Sequence, residues 1–444
     1  MALNPSTLEP QVLQQNFHEI LPALSSREAV IEATRCLFCY DAPCTHACPT
    51  HIDIPRFIKK ISTENTLGAA KTILESNFLG STCARVCPVE ELCEGACVLG
   101  SDHKPIEIGR LQRYATDYVM NKQMDVFKAG KPSGKKVAVI GAGPAGLSCA
   151  AELAKLGHAV TILEKKPLAG GLSTYGIVVF REPVEVSLNE VEMVKRLGVT
   201  IKNNITVGTD IGFDELNSSY DAVFIGTGLG RVPNLEIPGE NLEGVVDGIE
   251  FIESTKTDKL ETIKVGQKVA VIGAGNTAID AATIAKRLGA HVTMVYRRTQ
   301  SEMTAYNFEY DFAKLQGIEY RFLTAPVSIQ GDSSVTGLEC QTMQLGAPDA
   351  SGRPRPEPVP NSNFTLECDM VIKAIGQEKQ SSLAQELGLQ LEKGYIVVNN
   401  QNQTSNPRVY AGGDCVRLKG DASTVMAVQD GKIAAKNINS MLLP

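Results

Sequence analysis

Apolar residues along this chain change their spacing near residue 130. Before that point they recur every three or four positions, most clearly over Thr66–Asn77 and Glu107–Asn121, which predicts amphipathic helices between polar loops. After it, short continuous apolar runs alternate with helix-spaced stretches. The segments Val137–Ile140, AVTILE ending at Glu164, DAVFIGTG (221–228), HVTMVY ending at Tyr296, MVIKAIGQ (370–377) and VYAGGD (409–414) all read as strands that end at Gly, a charged residue or a turn. The intervening AGKPSG at 129–134 is rich in breakers and predicts a boundary. KVAVIGAG occurs twice, at 136–143 and 268–275. An offset of 132 residues aligns both copies through the next helix and strand without a gap, placing Gly157 on Gly289 and Glu164 on Tyr296. Each copy therefore opens a strand, Gly-rich turn, helix and strand, so the expected fold is α/β with two Rossmann-like dinucleotide-binding domains behind a helical region.

The two turns carry different chemistry. In the first, Gly141, Gly143 and Gly146, with Pro144 and Ala145 between them, allow a tight turn, close approach to a pyrophosphate and packing of helix on strand. Glu164, followed by Lys165, stands where a carboxylate accepts hydrogen bonds from a ribose diol, the alternative being an edge-turn residue. The second turn reads Gly273, Ala274, Gly275, Asn276, Thr277, Ala278, and its acidic position holds Tyr296 followed by Arg297 and Arg298. Guanidinium groups there suit a 2′-phosphate, which favours NADPH over NADH, against the competing reading of a solvated basic turn. In VYAGGD, Gly413 and Asp414 follow a strand, and Ser423 or Thr424 caps a helix over Val425–Asn439; this completes a flavin site. The second unit is then inserted in the first. Expected domains are a helical domain over 1–130, an FAD domain over 131–245 and 369–444, and a nicotinamide domain over 246–368. No CxxC pair accompanies the flavin unit, and the lone Cys149 reads as a buried core thiol.

Composition narrows the class. The chain has 444 residues, 43% hydrophobic and 21% charged, which is ordinary for globular domains. A net charge of −7 argues against nucleic acid or an anionic membrane as partner. The longest uncharged stretch, Val137–Ala151, is too short to span a bilayer, and the amino terminus shows no secretory signal, so a cytoplasmic location is expected. Cysteine is unevenly spread: eight of twelve lie in the first 97 residues. Cys36, Cys39, Cys44 and Cys48 form C-x2-C-x4-C-x3-C-P, and Cys83, Cys87, Cys93 and Cys97 form C-x3-C-P-x4-C-x3-C. The bunched run ending in Cys48-Pro49, with eight thiols in all, favours two [4Fe–4S] clusters over paired zinc knuckles or free thiols. His46 and His51 read as surface or cap residues.

The segments RCLFCYDAPCTHACPTHIDIPRFI, LGSTCARVCPVEELCEGAC, IEIGRLQRYATD and GGLSTYGIVVFR, from Arg35, Leu79, Ile106 and Gly170, resemble the amino-terminal half of dihydropyrimidine dehydrogenase. The chain stops before that enzyme's FMN barrel, so it is similar to the NAD(P)H-oxidising subunit of the bacterial two-subunit form. The resemblance implies electron flow from NAD(P)H through FAD and two clusters to an FMN-containing partner that reduces uracil or thymine. It also implies Cys36, Cys39, Cys44 and Cys97 on one cluster, Cys48, Cys87, Cys93 and the Gln112 amide on the other, and Cys83 spare. Flavin contacts would include Glu164 to Leu172, hence Gly171, together with Arg181, Thr424 and Val425; NADP contacts would include Ala274 to Thr277, Arg297 and Arg298. No catalytic side chain is expected, because hydride passes directly between cofactors. The glutamate synthase small subunit shares this plan, and a stand-alone diaphorase or redox-sensing module is the reading from another class.

Overall fold

A computed structural model describes residues 3–348, 352–418 and 422–443. The Cys-rich region folds into helices α1 (Ser26–Thr34), α2 (Pro43–Ala47), α3 (Ile54–Ser62), α4 (Thr66–Ser76), α5 (Gly80–Val86) and α6 (Ile108–Asn121). The first dinucleotide module follows as β1 (Lys136–Ile140), α7 (Pro144–Lys155), β2 (Ala159–Leu163), α8 (Val184–Arg196), β3 (Thr200–Lys202) and β4 (Ala222–Ile225). The second supplies β5 (Val245–Asp247), α9 (Gly248–Thr257), β6 (Lys268–Ile272), α10 (Asn276–Arg287), β7 (His291–Val295) and β8 (Glu319–Arg321). Strands β9 (Thr324–Gln330), β10 (Gly337–Pro348), β11 (Pro354–Leu366) and β12 (Met370–Lys373) come next, and the chain returns through β13 (Val409–Ala411) and α11 (Thr424–Leu442).

Local chemistry explains the helix starts. Ser25 and Glu28 form a reciprocal capping box on α1, Asp53 accepts from the Arg56 N–H at the head of α3, and Asn65 from the Gly68 N–H at the head of α4. Along α3, Ile54, Phe57, Ile58 and Ile61 are buried, the three-and-four spacing of one face.

Two compact units result. One comprises 20–174, 181–229 and 379–444, and the other 1–19, 175–180 and 230–378. In the first, a parallel sheet has the order β13–β4–β1–β2–β3, with Val137 opposite Val160 and Val139 opposite Phe224. Its core is continuous with that of the Cys-bearing helices: Phe57, Ile73 and Leu111 share one buried cluster with Val139, Leu147 and Phe224. In the second unit the sheet order β5–β12–β6–β7–β8 repeats that plan, Val271 lying between Ile372 and Met294. This unit also carries an antiparallel sheet, β9–β10–β11, and takes up the amino terminus: Asn4 pairs with Val265, and the Asn16 side chain donates to the Arg287 carbonyl at 2.8 Å. Among the described residues no helix is long and apolar enough to cross a membrane.

Candidate functional site

The first glycine turn is built by close approaches that no side chain could replace. A Cβ on Gly146 would lie 2.0 Å from the Gly141 carbonyl oxygen, and one on Gly171, at φ +59°, would lie 2.6 Å from the Gly143 Cα. The structure thus brings together Gly143 and Gly171, separated in sequence, while Gly143 caps α7 and leaves its first turn, Pro144 to Gly146, without a side-chain cap. That open helix start suits a pyrophosphate. Glu164 is buried at the end of β2; one carboxylate oxygen accepts from the Ala142 N–H at 2.7 Å and the other from the Lys166 N–H at 2.8 Å. It therefore ties the glycine turn to β2 while each oxygen keeps a lone pair for a ribose. Lys165, next in sequence, and Leu172 are exposed, and Arg181 is half-buried just before α8. Gly413, at φ +79°, rests against Ala145 of α7, and its N–H donates to Asp430 of α11 at 2.9 Å. Burial pushes the neighbouring Asp414 carboxyl above its ordinary pKa, with Asp430 adding to the rise and Arg417 opposing it. Ser423, not Thr424, caps α11, so Thr424 and the buried Val425 form its first turn. Of the expected flavin residues, Gly143 and Gly171 approach one another, and Gly413 rests against Ala145 in the first turn of α7.

The second turn has the same construction with different contents. A Cβ on Gly273 would lie 2.2 Å from the Ala374 carbonyl oxygen, and Gly275 caps α10, with Asn276 and Thr277 in its first turn. The Ala274 carbonyl accepts from the Thr304 and Ala305 N–H groups, and Asn276 from the Tyr306 N–H, so the loop after β7 lies along the turn. Tyr296 points its hydroxyl to the Glu302 carbonyl at 2.6 Å. The two arginines divide. Arg297 is exposed, whereas Arg298 is buried and its Nε donates to the Pro354 carbonyl at 2.9 Å, holding β11. A cavity at this point is lined by Arg297, Arg298, Arg355 and Glu357. Arg355, next to the clamped Pro354, lines the same cavity, and the sequence does not mark it because it lies on a strand with no apolar alternation.

The thiols fall into two neighbourhoods. Cys36, Cys39, Cys44 and Cys97 line one cavity with apolar walls that include Ile54, Ile58 and Ile106. Burial lifts the pKa of Cys36, and that of Cys44 to about 11, Cys97 being a near neighbour of both. Cys87 is raised by a hydrogen bond with Cys83, by burial, and by nearby Cys93 and Cys48; Cys93 is raised by burial, then by Glu94, Cys48 and Cys44. The second neighbourhood is therefore Cys48, Cys83, Cys87 and Cys93. Gln112 of α6 is buried over α5, its Nε2 donating to the Gly80 carbonyl at 2.7 Å, which leaves Oε1 as the atom able to ligate. No three His, Cys, Asp or Glu side chains among the described residues gather tightly enough for a single ion. Thiols that converge on a cavity without closing on a point fit a cubane, whose irons are separate, better than zinc.

Two dinucleotide modules and a thiol-lined helical region define a flavin- and nicotinamide-dependent oxidoreductase with iron–sulfur chemistry. The chain belongs to the pyridine nucleotide-disulphide oxidoreductase family, matched over 135–431, and residues 13–124 match the dihydropyrimidine dehydrogenase domain II, 4Fe-4S cluster family. It is 36% identical over 433 residues to the NAD-dependent dihydropyrimidine dehydrogenase subunit PreT of Escherichia coli, covering 97% of this chain and 98% of that one. It is 35% identical over 459 residues to the E. coli glutamate synthase [NADPH] small chain, covering 99% and 97%. It is 38% identical over 431 residues to the NADP(+)-dependent formate dehydrogenase subunit beta of Moorella thermoacetica, where it covers 90% of this chain but only 60% of the relative. The thioredoxin reductase structure of T. acidophilum shares the fold at a TM-score of 0.55 and 24% identity, over 70% of this chain and all of that one. The protein is thus an iron–sulfur flavoprotein that uses NAD(P)H and FAD.

Proposed function

We propose that the chain is the NAD(P)H-oxidising subunit of a two-subunit dihydropyrimidine dehydrogenase, passing electrons to an FMN-containing partner that reduces uracil or thymine. The buried Gln112, on the helix that starts at Ile108, carries this reading: its Nε2 is held by the Gly80 carbonyl at the head of α5, the helix that bears Cys83, so its Oε1 is the amide atom free to ligate in place of the Cys83 thiol. In it, Cys36, Cys39, Cys44 and Cys97 hold one [4Fe–4S] cluster, and Cys48, Cys87, Cys93 and Gln112 the other. When bound, the nicotinamide, flavin and clusters supply the hydride and single-electron chemistry. The chain's own residues bind and orient. The starts of α7 and α10 face the two pyrophosphates, Glu164 takes the flavin-side ribose, and Arg297 and Arg355 take the 2′-phosphate of NADPH. Arg298 positions Arg355 by holding the Pro354 carbonyl.

Purified chain should contain about eight irons and one FAD. It should oxidise NAD(P)H with an artificial dye yet reduce neither uracil nor thymine until an FMN-containing partner is added. Recovery from native cells of a large glutamate synthase subunit, with glutamine-dependent NADPH oxidation and no pyrimidine reduction, would replace this reading.

A further inference from the structure

Lys432 belongs to neither nucleotide turn, yet it joins two parts of the electron path. It lies on α11, two residues beyond Asp430, which holds the Gly413 N–H. Its Nζ donates to the Thr50 carbonyl at 2.9 Å and the Ser76 carbonyl at 2.8 Å. Thr50 in turn touches Cys48, its Oγ1 lying 3.4 Å from the Cys48 Sγ. One turn of this helix therefore holds the Gly413 N–H through Asp430 and, from another side, the Thr50 and Ser76 carbonyls through Lys432. The partners of Lys432 are carbonyls, and no carboxylate among the described residues lies within ion-pair distance of it. The charged groups facing it from α7 are Glu152 and Lys155, which are paired with each other at 2.7 Å. The ammonium is thus a surplus positive charge, half-buried beside a thiol.

We propose that Lys432 is a positioning residue for the second iron–sulfur cluster, fixing the Cys48 loop and raising that cluster's reduction potential with its charge. The inference rests on the cluster assignment proposed above and adds a residue outside the ligand set. Reduction places one more negative charge on a cluster, and a nearby cation with no anion of its own stabilises that form. Burial opposes the charge and lowers the lysine's pKa, while Glu152 and Cys48 support it and Lys155 does not.

The test is a redox titration of the full-length, cofactor-loaded chain, followed by electron paramagnetic resonance. In Lys432→Gln, which keeps a hydrogen-bond donor but loses the charge, the reduced-to-oxidised ratio of one cluster at fixed poise should fall about tenfold, a downward shift of about 59 mV for one electron. The other cluster should not move. Lys432→Met, which keeps the stem, should give the same shift, and Lys432→Arg should restore the original potential. If both clusters titrate as in the unmodified protein, with iron and FAD contents unchanged, the charge role is overturned. If Lys432→Arg shifts the potential as far as Lys432→Gln, the effect comes from packing and the inference also fails. An unmodified protein with only about four irons would instead overturn the cluster assignment, and this inference with it.

Discussion

Replacing Arg297 by Ala should separate NADPH from NADH. Arg297 is exposed at the end of β7 on a cavity that it shares with Arg298, Arg355 and Glu357. A charge-assisted hydrogen bond contributes about 1.5–3 kcal/mol, so its loss should weaken NADPH roughly ten- to a hundredfold. NADH has no 2′-phosphate and should be little affected. Arg355→Ala should act in the same direction but less strongly, since Glu357 on the same strand offsets part of its charge. Arg298→Ala should behave differently. Its guanidinium is buried and bonded to the half-buried Pro354 carbonyl, so its removal loses that hydrogen bond and its packing, costing about 0.5–1.5 kcal/mol of stability. The assay is steady-state dye reduction with each nucleotide, alongside thermal unfolding. The Arg297 variant should raise the KM for NADPH with kcat and melting temperature unchanged, and the Arg298 variant should lower the melting temperature. Equal constants for both nucleotides in the unmodified protein, or an Arg297 variant that weakens both equally, would refute the 2′-phosphate site.

Gln112→Ala should change the spectrum of one cluster and leave the other, whereas Cys83→Ser should change neither; a Cys83 variant that loses about half its iron would exchange the two in the ligand set. A Cβ on Gly171 would strike the Gly143 Cα at 2.6 Å, so Gly171→Ala should be purified with FAD well below one per chain while iron is kept, and full FAD occupancy would show that the turn yields. Glu190 is fully buried on α8, accepting from the Ser81 and Thr82 N–H groups at 2.7 and 3.1 Å, and burial, with Glu182 nearby, pushes its carboxyl up to about 8. The folded state therefore holds a proton that the unfolded chain releases near pH 4.5, so stability should fall as pH rises from about 4.5 to about 8 and level off above. Glu190→Gln keeps the acceptor and cannot ionise; its melting temperature should lose that slope, and an unchanged slope would place the titration elsewhere.

What the sequence reveals and what it conceals divide along physical lines. The parallel strands and their glycine turns are legible because a strand buried on both faces must be a continuous apolar run, and because only glycine fits where a Cβ would lie 2.0–2.6 Å from backbone, as at Gly146 and Gly171. The two cysteine runs are legible as chemistry, and the structure sorts them by burial and mutual proximity. The antiparallel sheet β9–β10–β11 is not legible: β11 reads PRPEPVPNSNFTL, with four prolines and no buried residue, so neither alternation nor β-propensity marks it. Arg355 is hidden with it. Arg297 and Arg298 are adjacent in sequence and look equivalent, but successive residues leaving a strand point to opposite sides, which buries one against β11 and leaves the other in solvent. Lys432 is hidden for a related reason. A lysine in a helix interior looks like a solvated residue, and only the docking of α11 against the loops at Thr50 and Ser76 gives its ammonium two carbonyl acceptors beside Cys48. Motifs are legible when backbone geometry demands a residue type; residues recruited by packing between distant segments leave no local trace. Arg355 and Lys432, the groups proposed here to tune nucleotide choice and cluster potential, belong to the second kind, so their variants test those proposals where variants of the motifs would test only the fold.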